Sequence, residues 1–279
     1  MPELPEVETV RLGLIPHLEG QVITKAGAFS RKLRLPIPED FAKKLTGRRI
    51  IQLHRRAKYI LIDMAGGLSV ILHLGMSGQI LISRFEANTP FKPAKHDHFF
   101  WETAGGMRLV YHDPRRFGLV AFSKTDNLPL HPLIKNLGVE PLSNAFNGPA
   151  LKAALAGKTC TIKAALLDQR IIAGLGNIYV SEALYRAHIH PTRKAGSVSL
   201  ARIETLVAMV RAVLREALKS GGSSLKDYVR VNGELGYFQH HFDVYDRAGR
   251  GCRSRGCGGA VRRIVQNARS TFYCPRCQT

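Results

Sequence analysis

Four of the five cysteines in this chain fall between residues 252 and 277, spaced Cys252-x4-Cys257-x16-Cys274-x2-Cys277. No other feature limits the fold as tightly. The segment around them is rich in arginine and glycine and too short to close a hydrophobic core of its own. Two cysteine pairs separated by a hairpin-length spacer match a tetrahedral Zn²⁺ site closed by four thiolates. Disulfides or free thiols are the competing readings, but an odd cysteine count clustered in this way favours a metal site. Four protein ligands leave no open position, so one zinc would be structural and would supply the folding free energy the segment lacks. Arg262, Arg263 and Arg269 lie between the pairs, so the metal would fold a basic hairpin. The fifth cysteine, Cys160, is expected to be a small buried residue.

The charge balance indicates the partner class. Among 279 residues, 41 Lys and Arg oppose 21 Asp and Glu, a formal charge of +20. Such an excess fits a polyanion, and release of condensed counterions makes nucleic acid the usual one. An anionic membrane fits less well, because no basic amphipathic anchor or lipidation signal is present. Apolar runs such as Leu68–Leu74 are too short to span a bilayer. The first twenty residues carry Glu3, Glu6 and Glu8 and lack the apolar core of a signal peptide. A reducing, cytoplasmic setting is expected.

The chain changes texture along its length. Pro5 to Leu14 reads as a helix, with proline at its start and Val7, Val10 and Leu14 on one face. From Gln21 to Phe122 the pattern is short, β-branched and punctuated by glycine. Tyr59–Met64 and Leu68–Leu74 flank Ala65-Gly66-Gly67, and His98–Thr103 and Met107–Tyr111 flank Ala104-Gly105-Gly106, two hairpin signals. With Leu119–Phe122 they predict a sandwich or flattened barrel. Thr125 to Gly148 reads as a linker. Helices are expected over Ala150–Ala156, Ile162–Asp168, Asn177–Ala187 and Leu200–Lys219, the last with an apolar stripe from Leu200 to Leu218. A loop follows from Ser223 to Gly236.

Two further features carry chemistry. In Met1-Pro2-Glu3-Leu4-Pro5-Glu6-Val7-Glu8, removal of Met1 would turn Pro2 into a terminal secondary amine. An α-amino group titrates at about 7.7–8.0, so part of it would be unprotonated near neutrality and able to form a Schiff base. The plainer reading is a stiff surface terminus. Gly174-Leu175-Gly176-Asn177 would let one helix turn into the next, with the backbone N–H groups at the second helix start aimed at an anion.

Taken in order, the Pro2-Glu3 opening, the Gly174–Tyr179 turns and the terminal cysteine hairpin resemble bacterial formamidopyrimidine-DNA glycosylases over essentially the whole chain. The related endonuclease VIII branch usually opens Pro-Glu-Gly-Pro-Glu, so Leu4 favours the formamidopyrimidine branch. The resemblance implies an α+β protein of two domains: an N-terminal β-sandwich with an N-terminal helix, and a helical helix–two-turn–helix domain ending in a zinc-bound β-hairpin. The boundaries expected are 1–124 for the catalytic sandwich, 125–148 for the linker, 149–240 for the DNA-binding helices and 241–279 for the zinc finger. It implies a monomeric repair enzyme that excises oxidised purines from double-stranded DNA and then cuts the strand by β,δ-elimination.

The same resemblance assigns roles to residues. Pro2 is the Schiff-base nucleophile, Glu3 the proton donor and Glu6 a support for the amine. Lys58 and Arg269 contact phosphates and donate protons in the β- and δ-elimination steps. Asn177 grips a neighbouring phosphate. Met76, Arg115 and Phe117 fill the hole left by the flipped nucleotide, while His73 and Lys163 also contact DNA. Cys252, Cys257, Cys274 and Cys277 hold the zinc. One departure stands out: the first cysteine pair encloses four residues where the family normally has two, which leaves the shape of that knuckle open. The rival readings are an endonuclease VIII-like enzyme for oxidised pyrimidines and a zinc-hairpin DNA-binding protein without catalysis.

Overall fold

A computed structural model of the chain describes residues 2–29, 32–86, 91–223 and 241–279. It divides into two compact units, Met1–Lys135 with Gly221–Gly236, and Asn136–Ser220 with Tyr237–Thr279. The loop expected from Ser223 to Gly236 lies, beyond Ser223 itself, outside the described residues.

The first unit opens with α1 (Leu4–Leu18), longer than the Pro5–Leu14 predicted. Pro5 sits in its first turn, where a missing N–H costs nothing. The helix runs past Leu14 because Leu18, four residues on, continues the stripe of Val7, Val10 and Leu14 and is fully buried. Eight strands follow: β1 (Ile23–Ala28), β2 (Ile50–Arg56), β3 (Tyr59–Met64), β4 (Leu68–His73), β5 (Gln79–Arg84), β6 (Asp97–Thr103), β7 (Met107–His112) and β8 (Leu119–Lys124), with a short α2 (Phe41–Leu45) after β1. They form two antiparallel four-stranded sheets, ordered β1-β6-β7-β5 and β2-β3-β4-β8. Both predicted hairpins are present, and Gly66 and Gly67 supply the positive φ angles, +81° and +70°, that the β3–β4 turn requires. One core joins Val10, Leu14 and Leu18 of α1 to Ile60, Ile62 and Leu72 of one sheet and Phe99, Trp101 and Tyr111 of the other. The architecture is therefore a sandwich.

Polar contacts fasten α1 to its sheet. Glu8 accepts hydrogen bonds from Arg11 Nη2 at 2.5 Å and from Arg55 Nε of β2 at 2.9 Å, and Arg11 Nη1 donates to the Leu53 carbonyl at 2.9 Å. Burial pulls the Glu8 carboxyl upward, but the Arg11 and Arg55 guanidiniums outweigh it and leave the group below its ordinary value.

The second unit holds α3 (Gly148–Leu155), α4 (Ile162–Leu167), α5 (Asn177–Arg186), α6 (Leu200–Lys219), β9 (Arg262–Gln266) and β10 (Arg269–Tyr273). Asn147 caps α3 and Thr161 caps α4 through their side-chain oxygens. The stripe of α6 is buried at Ile203, Leu206, Val207, Val210, Val213 and Leu214, whereas Leu200, in the first turn, stays exposed. β9 and β10 pair antiparallel around Asn267-Ala268, both left-handed, which is the basic hairpin predicted. Cys160 corrects an expectation: it is exposed. Its carbonyl accepts the Ala195 N–H at 2.9 Å, and that backbone anchor just before the α4 cap leaves the thiol directed outward. No helix among the described residues is long and apolar enough to cross a membrane.

Glu8→Gln is expected to lower unfolding stability at pH 7 by about 1 kcal/mol, since the pair is partly solvated. The native carboxyl lies below its unfolded value, so its contribution is present above that value and is lost as pH falls through the native one. Urea unfolding of both proteins from pH 7 to pH 3 should show the gap closing at the acid end. A gap that persists there would refute the ion-pair account.

Candidate functional site

The terminus preceding α1 is held in place. Pro2, Glu3 and Glu6 are all buried. Glu6 Oε2 accepts the Glu3 N–H at 2.9 Å, one arm of a capping box. Its other oxygen, Oε1, accepts the Ser223 N–H at 2.8 Å and the Ser223 hydroxyl at 3.0 Å. Gly222, at φ +79°, lets the chain come this close, because a Cβ there would stand 3.0 Å from the same oxygen. A surface acid at a helix start has no such set of donors; Glu6 is a joint between the chain terminus and a segment 217 residues away.

Lys58 lies in the tight β2–β3 connection, next to left-handed Ala57, and is largely buried. His73, at the end of β4, accepts the Gly75 N–H on Nδ1 at 2.8 Å, which leaves the proton on Nε2. Burial first, then the positive charges of Lys58 and Arg34, lower its pKa to about 4. His73 is therefore a neutral donor across the physiological range.

Two loops of the same unit present Met76, Arg115 and Phe117. Met76 is half-buried, Phe117 is 46% exposed, and the Arg115 guanidinium lies 5.3 Å over the Phe117 ring. Beneath them the frame is rigid. The fully buried Asp113 carboxylate accepts the Ser77 hydroxyl at 2.6 Å, the Gly118 N–H at 2.8 Å and the Arg115 N–H at 3.2 Å. It thereby binds the Met76 loop to the Arg115–Phe117 loop. The two run backbone against backbone: a Cβ on Gly75 would fall 2.4 Å from the Gly118 nitrogen, and the Tyr111 hydroxyl beside Gly118 donates to the His73 carbonyl at 3.1 Å. Sequence reasoning missed Ser77, Asp113 and Tyr111. The Asp113-Pro114 pair, a turn starter, was the available signal.

In the second unit Gln169 shapes the turns between α4 and α5. Its amide donates to the carbonyls of Leu167 and Leu175 at 3.1 and 2.8 Å and accepts the Gly174 N–H at 2.8 Å. Gly174 takes φ +91°, and Gly176 is the N-cap that sets Asn177 at the first turn of α5. Asn177 Nδ2 donates to the Ser270 carbonyl at 2.8 Å. Ser270 directly follows Arg269, which opens β10 and is exposed, so the turn and the hairpin meet at the two residues expected to grip phosphate. Lys163, expected at the DNA, lies beneath the hairpin. It is 1% exposed, with Nζ donating to the Ser270 carbonyl at 3.1 Å and the Thr271 hydroxyl at 2.6 Å. These bonds tie the buried ammonium to β10 of the hairpin.

The four cysteine sulfurs lie within 4.8 Å of one another, with pairs at 3.0 Å (Cys257–Cys277) and 3.6 Å (Cys252–Cys277 and Cys257–Cys274). Zn–S bonds of about 2.3 Å imply sulfur–sulfur edges of about 3.8 Å, so the donor set fits one structural zinc. The four-residue knuckle closes by a turn from the Cys257 N–H to the Ser254 carbonyl, with Gly256 left-handed and Arg253 and Arg255 exposed. The added length bulges into solvent and the ligands stay together. Among the described residues no other group of His, Cys, Asp or Glu has a metal-binding arrangement. In the His96-Asp97-His98 run, His98 bonds the Asp113 carbonyl and Asp97 bonds His112.

The chain matches three family models in order: the formamidopyrimidine-DNA glycosylase N-terminal domain over residues 1–120, the formamidopyrimidine-DNA glycosylase H2TH domain over 137–229, and the zinc finger found in FPG and IleRS over 252–279. It is 54% identical to the formamidopyrimidine-DNA glycosylase of Paracoccus denitrificans and 53% to that of Cereibacter sphaeroides, each over 100% of both chains. A solved structure of a mutant Lactococcus lactis FPG in complex with Fapy-dG containing DNA superposes with a TM-score of 0.90 at 35% identity, covering 100% of both chains.

Two outcomes are expected. Asp113→Ala strands the Gly118 N–H, removes the acceptor of the buried Ser77 hydroxyl and should cost about 2–3 kcal/mol in urea unfolding, whereas Arg115→Ala, at an exposed tip, should cost under about 0.5 kcal/mol. Equal losses would contradict the framing role. Stripping zinc with a chelator should unfold the β9–β10 hairpin and weaken duplex binding at least tenfold, with recovery on zinc addition. Unchanged binding would refute the dependence of the hairpin on the metal.

Proposed function

The chain belongs to the formamidopyrimidine-DNA glycosylase family, and from that premise we propose that Pro2, freed of Met1, is the nucleophile of its base-excision reaction. The protein is a base-excision repair glycosylase that acts on damaged double-stranded DNA and carries one structural zinc. The observation that carries the assignment is the buried, doubly anchored Pro2-Glu3 terminus. Burial disfavours the ammonium form of an amine, and the Glu6 joint counters the fraying that chain ends ordinarily show. Chemistry then follows from the residue types.

A base inside a duplex is out of reach, so the damaged nucleotide is first flipped out. Lys58, Asn177 and Arg269 grip phosphates and bend the backbone, which lowers the cost of flipping. Met76, Arg115 and Phe117 enter the vacated space, and a guanidinium can hydrogen-bond the orphaned base. His73, neutral and carrying its proton on Nε2, donates one hydrogen bond to the strand. The Pro2 nitrogen attacks C1′ of the sugar, the C1′–base bond breaks, and the base departs with a proton. Glu3 delivers a proton to the ring oxygen as the sugar opens. The resulting iminium acidifies the adjacent sugar proton, and β- followed by δ-elimination expels the phosphates on both sides, with Lys58 and Arg269 donating protons. Leu4 points to oxidised purines as the preferred lesions. The enzyme works as a monomer in the cytoplasm.

Borohydride trapping tests this reading. Met1-processed protein should form a covalent adduct with a duplex carrying 8-oxoguanine opposite cytosine and none with an undamaged duplex, and retention of Met1 should abolish the adduct. Absence of the adduct on the 8-oxoguanine duplex would overturn the assignment, while a stronger yield on an oxidised pyrimidine would move the substrate class.

A further inference from the structure

Zinc held by four thiolates leaves a net charge of −2 in the second unit, among apolar neighbours that include Val244, Val261 and Phe272. Sulfurs so placed need hydrogen-bond donors, and outer donors of this kind orient ligands and tune metal affinity. The four cysteines are not served equally. In the short knuckle the N–H groups of Arg276 and Cys277 point at Cys274. The Gly259 N–H serves Cys257 and the Ser254 hydroxyl serves Cys277. The lengthened first knuckle gives Cys252 one backbone donor, the Ser254 N–H at 3.4 Å. The Tyr185 oxygen, on the last turn of α5, lies 3.2 Å from the same sulfur. A zinc-bound Cys252 is a thiolate and can only accept, so the phenol is the donor.

We propose that the Tyr185 hydroxyl is an outer hydrogen-bond donor to the zinc-bound Cys252 sulfur, adding to the single backbone donor of the four-residue knuckle. The same helix grips the zinc segment elsewhere. The buried Glu182 carboxylate accepts the N–H groups of Asp243, Val244 and Tyr245 at 2.8, 3.0 and 2.7 Å, and Arg186 pairs with Asp243 at 2.9 Å. α5 thus carries Asn177 in its first turn and the thiolate donor in its last, about 12 Å apart at 1.5 Å per residue. Retention of the metal and placement of Asn177 depend on one rigid helix.

The test is Tyr185→Phe in the full-length zinc protein, which removes the hydroxyl and keeps the ring. Zinc transfer to a chromogenic chelator should be about 10- to 100-fold faster, the scale on which outer-shell partners act. In the cobalt-substituted protein the sulfur-to-cobalt charge-transfer band should move to lower energy, because a thiolate that loses a donor holds its electrons less tightly. Circular dichroism of the zinc-loaded variant should match the parent. Unchanged release and an unmoved band would overturn the proposal. Faster release with an unmoved band would overturn it as well, since the effect would then be one of packing. A variant that fails to fold even with zinc in excess would count against it too, because the hydroxyl would then act beyond the metal.

Discussion

The first residues of a chain are the part of a protein least able to hold a position, and the role proposed for Pro2 depends on overcoming that. Two contacts do so. The buried stripe of Val7, Val10, Leu14 and Leu18 commits α1 to the sandwich core, with side chains of this size stabilising by roughly 1.5–3 kcal/mol each. That burial leaves the first residues to follow the helix axis. The Glu6 carboxylate then closes the remaining freedom, accepting the Glu3 N–H on one oxygen and both donors of Ser223 on the other. A buried carboxylate is costly unless satisfied, so the joint is strong only while every partner is in place.

The same economy governs the other site elements. Phe117 and Arg115 are exposed, yet the Asp113 carboxylate beneath them is fully buried and takes hydrogen bonds from both loops. In the second unit the Ser270 carbonyl receives Asn177 and Lys163 while the Ser270 hydroxyl receives Arg263. In both places the group presented outward stands a few residues from a buried or half-buried polar group that several hydrogen bonds hold. This is how a site built on loops and turns reaches the positional accuracy that chemistry demands.

Much of this organisation was legible in the residue order. The glycine-marked hairpins, the apolar stripe of α6 and the cysteine spacing each express a local rule: a positive φ, a helical period, a tetrahedral ligand set. Small errors in helix ends came from tertiary burial, as when Leu18 drew α1 past its predicted end. Cys160 was read as buried because free cysteine usually is, but the Ala195 N–H bond to its carbonyl turned the side chain out. For Lys163 no local pattern announces a hydrogen bond to a carbonyl 107 residues away.

Composition and spacing by themselves thus determined the classes of thing present: a zinc-closed hairpin, a basic partner surface, a sandwich followed by helices, and a terminus able to expose a proline amine. These are consequences of neighbours along the chain, where geometry is set by a few dihedral angles. Only the tertiary structure decided which buried polar group answers which, whether Glu6 with Ser223, Asp113 with Ser77, Lys163 with Ser270 or Tyr185 with Cys252. Periodicity reveals which face of an element seeks the core, but a hydrogen bond depends on two atoms lying about 3 Å apart, and that separation exists only once the apolar faces have packed.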